Sequence, residues 1–406
     1  MEFEQKKIGD ICLSSCSGGT PKSTERSYYD GGTIPWLTTS EVNFKDIYDT
    51  ENKITELGLE KSSAKYIPIN SVIVAMYGVT AGRSAIAKIE LTTNQACCNL
   101  QINEEIAHFR FVYYYLMMQS DQLNKLANGG AQQNLNSLII KKFKIILPEL
   151  LTQKKISQVL SNYDQLIENN NKRIKLLESM AEELYKEWFV RFRFPGHEMV
   201  EFENGLPKGW EIKRIMDFGN IRTGKTPSTE VNDYYGEDYL FVKTPDMHSN
   251  IIVINSGEKL SELGNKTQKN CLLPPYSIMV SCIGTGGVTA INYYPAHTNQ
   301  QINSIILKNK NQLEWLFFQV KSMKETIIMF GNTGSTMTNL SKGKFQKLKL
   351  LKPTDDLIFR FSAIIRTLIE EEINYLKQNE LLSQQRDSLL PRLMSGKIDL
   401  EDKEVI

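Results

Sequence analysis

The chain has 406 residues, is 41% apolar, 23% charged and 9% aromatic, and carries a formal net charge of +1. That suffices for two or three globular domains. It excludes a disordered tail, a collagen-like fibre, a small disulfide scaffold and a histone-like polycation. By segment the balance of Lys+Arg against Asp+Glu is 15 to 16 over 1–150, 8 to 6 over 151–195, 18 to 14 over 196–354 and 7 to 11 over 355–406. Any nucleic-acid footprint is therefore local, and the middle of the chain is mildly favoured.

In chain order, Met1 to Lys7 lacks the basic start and apolar run of a signal peptide. No stretch reaches 18 apolar residues, so no membrane span is expected. The first 150 residues mix short β-rich runs with turns. Val72 to Tyr77 reads as a buried strand, Phe109 to Leu126 as helical, and Phe143 to Leu147 as a strand that Pro148 ends. A long helix is expected over roughly 152–191. A second mixed segment follows, with a strand at Ser277 to Cys282 and helical pieces from Gln312 to Met329. A second long helix is expected over roughly 355–393. The six cysteines, Cys12, Cys16, Cys97, Cys98, Cys271 and Cys282, form no CxxC pair, and there are four histidines. Reduced thiols in a cytoplasmic protein, with no zinc site, are the expectation.

The chain is written twice. Thr20-Pro21 recurs as Thr226-Pro227, Tyr28-Tyr29 as Tyr234-Tyr235, Ser71 to Val74 as Ser277 to Val280, and Gly78 as Gly284. After a one-residue gap, Thr93-Asn94-Gln95 matches Thr298-Asn299-Gln300, Gly129 matches Gly334, Asn134-Leu135 matches Asn339-Leu340, and Pro148 matches Pro353. Collinear matches about 205 residues apart mean a duplicated module, since that period is far too long for a solenoid. Each module ends in a long helix. In the first, Ile156, Tyr163, Asn170, Leu177 and Leu184 stand seven apart, with Val159, Leu166 and Met180 as companions and Arg173 interrupting. In the second the series is Phe361, Leu368, Tyr375, Leu382 and Leu389, with a weak companion stripe of Ile364, Glu371, Gln378 and Gln385. A seven-residue period signals a coiled coil. About 40 residues span ~60 Å, too long to fold back into one globule. The polar companions pair across the helices, or lie under another chain, or are solvated.

The expected fold class is α/β, mixed α+β: two globular domains separated by two long antiparallel coiled-coil helices in a pseudo-two-fold internal repeat. The expected domains are 1–150, a spacer helix 151–195, 196–354, and a second spacer helix with the C-terminal tail, 355–406. Two similar heads at a set separation suit a bipartite target, as inverted half-sites on duplex DNA demand two-fold-related readers.

Several motifs carry a family likeness: Ser17-Gly18-Gly19-Thr20-Pro21 with its echo Thr223-Gly224-Lys225-Thr226-Pro227, Gln153-Lys154-Lys155-Ile156, Leu206-Pro207-Lys208-Gly209-Trp210, and the run from Leu390 to Ile398. In this order, twice over, the chain resembles along its whole length the specificity (S) subunit of type I restriction–modification systems. It departs at the second helix entry, where Asp355-Asp356-Leu357-Ile358 replaces a Gln-Lys-Lys-Ile-like start. The resemblance implies a non-catalytic, sequence-specific DNA recognition subunit that reads a bipartite asymmetric double-stranded target. It also implies two copies of a DNA adenine methyltransferase (M) subunit and a restriction (R) subunit as partners. S-adenosylmethionine and ATP/Mg are then expected on those partners and no cofactor on this chain.

Three motifs point elsewhere. Gly219 to Thr226 fits the Walker A pattern literally, but Pro227 follows at once with no helical period behind it. In the repeat, Gly19 stands where Lys225 stands, so a turn near a DNA backbone is the better reading. Leu273-Pro274-Pro275-Tyr276 resembles the Asn/Asp-Pro-Pro-Tyr loop of adenine methyltransferases, yet Leu273 cannot accept a hydrogen bond from an amino group. Gly284 to Gly287 and Gly78 to Arg83 are Gly-rich turns, suited either to close DNA approach or to tight loops. No triad or paired-acid constellation supports an active site.

Base edges are read by polar side chains and phosphates by Lys, Arg and backbone N–H groups. The candidates are polar residues in turns: Lys22, Thr38, Thr39, Ser40, Tyr77, Thr80, Arg83, Gln132 and Gln133 in the first module, and Lys225, Lys243, Thr244, Thr285, Thr336 and Thr338 in the second. Asn94-Gln95 and Asn299-Gln300 recur too faithfully to carry different specificities and read as structural or phosphate-facing. The Tyr-Tyr pairs read as packing. The alternatives are a self-sufficient DNA adenine methyltransferase, and a coiled-coil scaffold with no nucleic-acid role.

Overall fold

The computed structural model describes residues 3–128, 135–203, 205–332, 338–398 and 400. The chain divides into two compact units, 1–165 with 382–406, and 166–381.

In the first unit, a five-stranded sheet has Cys12–Ser17 at one edge, then Cys97–Ile102, Val72–Ala75, Ser84–Ala87 and Asp46–Ile47. A four-stranded sheet runs Asn52–Ile54, Ile34–Leu37, Leu91–Thr93, Tyr66–Ile67. The Val72–Ala75 strand is buried on both faces, which its unbroken apolar run requires. One face packs on the helix Phe109–Met118, the other on the second sheet. Start and end of the module are tied by pairing Glu4–Lys7 with Lys144–Leu147.

The second unit repeats the order of the five-stranded sheet strand for strand. Its five-stranded sheet runs Gly219–Thr223, Ile302–Leu307, Ile278–Ser281, Thr289–Asn292, Ile252–Val253. A second sheet joins Lys259–Leu260, Tyr235–Val242 and Ala296–Thr298, and Leu273 bridges to Ala296 where the first module has a fourth strand. Glu211–Arg214 pairs with Lys349–Lys352 to close the module. Even the strained positions repeat. Asn70 (φ 68°) and Tyr276 (φ 63°) are both left-handed, a conformation that is costly without glycine.

The long helices are Leu150–Tyr185, continued by a π-helical turn Lys186–Val190, and Asp355–Met394. In the first unit Arg386 donates to Asp164 at 2.6 Å, and Asp164 also accepts from Tyr114 at 2.5 Å. In the second unit Asn170 donates to Asn379 at 3.0 Å, Asn379 to Asn171 at 2.8 Å, and Arg173 to the Tyr375 hydroxyl at 3.0 Å. Numbers rise along one helix as they fall along the other, so the paired segments are antiparallel.

The companion stripes need correction. Val159 is only half-buried, and Leu166, Met180, Ile364, Glu371 and Gln378 are exposed. The buried companions lie one residue later, at Leu160, Ile174 and Ala181 in the first helix and Ile358, Ile365 and Glu372 in the second. Each helix faces its module as well as the other helix, so a wider, 3.6-period face is buried in place of a narrow seam. Of the polar companions, Gln378 accepts from Asn170 at 3.4 Å.

Glu372 is 1% exposed. It accepts the Ile252 N–H at 3.2 Å, while Glu178 accepts the Ile251 N–H at 2.5 Å, so both helices grip the edge strand of the second module's sheet. Burial pushes Glu372 up to about 8, and the facing Glu178 charge adds to it. Burial raises Glu178 as well. Beside them Tyr185, Trp188, Phe189, Phe318 and Phe361 form one aromatic cluster. Each such ring contributes roughly 2–3 kcal/mol by burial. No helix among the described residues is long and apolar enough to cross a membrane.

Candidate nucleic-acid interface

Two turns stand side by side at one end of the sheets in the first module. The strand Ile34–Leu37 lies parallel to Leu91–Thr93 and releases the chain at Thr38. Glu41, buried, accepts the N–H of Thr38 at 3.3 Å and of Glu51 at 2.9 Å, which fixes a short 3-10 turn Thr39–Glu41. The Thr38 and Ser40 hydroxyls lie 2.7 Å apart. The second turn leaves Val72–Ala75 through Tyr77 and returns as Ser84–Ala87. Thr80 donates to the Thr39 carbonyl at 2.8 Å and so braces one turn on the other. Gly82 has φ +84°, and a Cβ there would stand 2.8 Å from the Ser120 carbonyl, so glycine is required. Arg83 donates to Asn43 Oδ1 at 2.8 Å and lies 6.0 Å from the Phe44 ring centroid.

The second module builds the same pair with other residues. Tyr235–Val242 lies parallel to Ala296–Thr298 and releases the chain at Lys243, whose N–H is accepted by Asp246 at 2.8 Å. Thr244 Oγ1 lies 3.4 Å from Ser281 Oγ, and Ser281 donates to the Thr285 carbonyl at 2.6 Å. Gly284, at φ +77°, occupies the place of Gly78, also at +77°. Ile283–Gly284 pairs with Thr338–Asn339.

The candidates therefore separate by role. Ser40, Tyr77, Thr285, Lys22 and Lys225 reach solvent, and Thr38 and Thr39 are half-exposed. Lys22 forms a loose ion pair with Glu25 at 3.6 Å. Thr80, Thr244 and Thr338 do not face out as expected. They are buried, because each hydroxyl or methyl is a strut of its turn. Thr338 fills the space beside Gly286 and Gly331, where added Cβ atoms would stand 2.7 and 2.4 Å from its Cγ2. Lys243 is paired with Glu258 and lies 5.5 Å from the Phe241 ring centroid. Arg83 is held by Asn43. Gln132, Gln133 and Thr336 lie outside the described residues.

The repeated Gly-Thr-Pro segments have a packing origin. A Cβ on Gly18 would stand 2.1 Å from the Thr93 carbonyl, and one on Gly224 2.2 Å from that of Thr298. Asn94 accepts the Ala96 N–H at 3.2 Å and Asn299 the Gln301 N–H at 3.2 Å, so both asparagines shape the turn under that contact. Tyr29 donates to the Pro21 carbonyl at 2.6 Å and Tyr235 to that of Pro227 at 3.2 Å, which makes these rings clamps on the same segment. The stretch after Gly219–Thr223 leads to a 3-10 turn, Asn232–Tyr234, and a strand. A P-loop needs a helix N-terminus at that point. Leu273 is buried, and the Pro274 carbonyl accepts from Ser277 and Asn292 at 2.8 and 2.9 Å, a turn entering a strand. No group of three or more His, Cys, Asp or Glu able to hold a metal occurs among the described residues.

Sequence reasoning missed the capping carboxylates Glu41 and Asp246. Their place three residues after Thr38 and Lys243 was the available signal. It also missed Val79, at the apex of the 76–83 turn.

Set beside known proteins, the duplication has a counterpart. A sequence model of the family described as "Type I restriction modification DNA specificity domain" matches residues 1–179 and 207–378. The chain is 28% identical over 416 residues to the "Type I restriction enzyme MjaIX specificity subunit" of Methanocaldococcus jannaschii, across 99% of this chain and 94% of that one. It is 30% identical over 321 residues to the "Type I restriction enzyme HindI specificity subunit" of Haemophilus influenzae, across 64% of this chain and 70% of that one. In fold it is similar to the crystal structure of a type I restriction–modification S subunit from M. genitalium. There the TM-score is 0.55 at 16% identity, covering 97% of this chain and 96% of that one.

Proposed function

Because the chain belongs to the family of type I restriction–modification DNA specificity subunits, we propose that each of its two modules reads one half of a split DNA target. The chain is a non-catalytic DNA-recognition subunit, and DNA and the other subunits of such a system are its partners. The self-sufficient methyltransferase reading is not favoured, since a specificity domain accounts for each module. One observation supports the split reading. The two modules repeat the same paired turns on the same sheet, with Thr38 and Tyr77 in one replaced by Lys243 and Ile283 in the other. One scaffold with different side chains suits two different half-sites.

The partners in this reading are two copies of a DNA adenine methyltransferase subunit and a restriction subunit, in the cytoplasm. S-adenosylmethionine and ATP/Mg belong to those partners. Leu166, Leu176, Met180, Phe359, Ile364 and Leu381 stand exposed on the long helices of the second unit. Large apolar side chains left out on helices favour a covering partner helix. The chain supplies fixed hydrogen-bonding groups and backbone positions, and the methyl transfer takes place on the partner.

Long-read methylation profiling of the source strain, with and without this gene, tests the reading. Loss of one split adenine-methylated motif on deletion is expected. An unchanged methylome despite an expressed, active methyltransferase partner would overturn it.

A further inference from the structure

Val79 is 91% exposed, the most exposed large apolar side chain among the described residues. It stands at the apex of a turn that is rigidly held. The Ala81 N–H donates to the Gly78 carbonyl at 3.1 Å, the Gly82 N–H to Ala75 at 2.8 Å and the Arg83 N–H to Thr80 at 2.9 Å. Thr80 and Ala81 on its far side are buried, and Thr80 is tied to the neighbouring turn. The valine is thus held outward by the backbone, and its β-branched side chain has little rotamer freedom left to lose on contact.

Its surroundings are polar. Tyr77, 39% exposed, precedes it, and the Thr38 and Ser40 hydroxyls lie on the turn that Thr80 braces. Hydrogen-bonding side chains address the nitrogen and oxygen atoms of base edges. The one major-groove feature that calls for an apolar contact is the thymine C5-methyl. Valine is too short for the wedge role that longer apolar side chains play between base steps. A single valine is also too small a patch for a protein partner. The equivalent turn of the second module carries the exposed, polar Thr285 beside Gly284.

We propose that Val79 reads the C5-methyl group of a thymine in the major groove of the half-site bound by the first module. The assignment rests on the chain being a DNA-specificity subunit. The test uses the full chain purified with the methyltransferase subunits of its own system, and synthetic duplexes carrying the target found by methylation profiling. Each thymine is replaced in turn by deoxyuridine, which lacks only the methyl group. One replacement, in one half-site, should weaken wild-type binding about three- to tenfold. The Val79→Ala complex should bind the thymine and uracil duplexes equally, at the weakened level. An unchanged melting temperature for Val79→Ala, expected at so exposed a position, shows that the fold is intact. A complex that prefers its target but ignores every thymine methyl, or whose uracil penalty persists in Val79→Ala, overturns the Val79 assignment alone. A wild-type complex that cannot tell target from scrambled duplex overturns the specificity reading with it.

Discussion

Replacing Glu372 with Gln should remove most of the alkaline loss of stability from the 166–381 unit. Glu372 and Glu178 face each other, each accepting a backbone N–H from the 251–252 segment. The charged groups nearby are Lys321, which donates to Glu182 at 2.7 Å, and Lys186, which is 3.1 Å from Glu182. Burial and the facing carboxylate raise Glu372 from an ordinary 4.5 to about 8. The folded state therefore keeps a proton between those values that the unfolded chain has lost. The contribution of Glu372 to stability is full below about pH 4.5, falls as pH rises through the window, and is lost above about 8. At about 1.4 kcal/mol per tenfold change in proton affinity, the loss comes to roughly 5 kcal/mol over the whole window. Glutamine is neutral at every pH, keeps the acceptor for Ile252 and can donate to Glu178. The assay is denaturant unfolding at pH 5, 7 and 9, followed by tryptophan fluorescence. Trp188, Trp210 and Trp315 lie in this unit and Trp36 in the other. The wild-type loss between pH 5 and 9 should exceed that of Glu372→Gln by on the order of 2–4 kcal/mol. Equal slopes for the two proteins would refute the argument.

Other perturbations have distinct readouts. Gly18→Ala or Gly224→Ala forces a Cβ to within 2.1 or 2.2 Å of a backbone carbonyl, so each should cost about 3 kcal/mol or more by thermal unfolding. Gly343→Ala, with nothing within 4 Å, should be tolerated. Thr80→Val removes the donor to Thr39 and should cost about 1 kcal/mol. In a methylation profile it should relax one half-site and leave the other. Lys225→Gln should weaken DNA binding evenly across sequences and lower the salt slope by about 1. A loss confined to one target would instead make Lys225 a base reader. Arg386→Met leaves Asp164, 23% exposed, with only the Tyr114 hydroxyl, and should cost about 2–3 kcal/mol. Adding Asp164→Asn should recover much of that in a double-mutant cycle.

The duplication, the strand at Val72, the paired helices and the punctuating Pro148 were legible because each depends on local order along the chain. Periodicity reports which residues share a face, and collinear matches report a repeated module. Gly18 and Gly224 stood out as motifs, but their reason did not, since Thr93 and Thr298 come into contact only when the sheets form. The companion stripe was misplaced by one residue for the same cause. A heptad count assumes one partner helix, and the module packed beside each helix widens the buried face to include Leu160 and Ile365.

The candidate interface divides along that line. Its turns could be found from Gly, Thr and Ser between strands, and the duplicated motifs carried the family. Whether a threonine in such a turn faces out or in depends on what stands across from it. Thr80 meets the Thr39 carbonyl and Thr244 meets Ser281, 41 and 37 residues away, while Val79 stays exposed. Local order along the chain is enough to show two copies of one module, each followed by a helix, and the family likeness they carry. Which polar side chains brace the turns and which face solvent was settled by the packing of the folded chain. A hydroxyl is committed by the long-range partner that satisfies it, and that partner is set by packing.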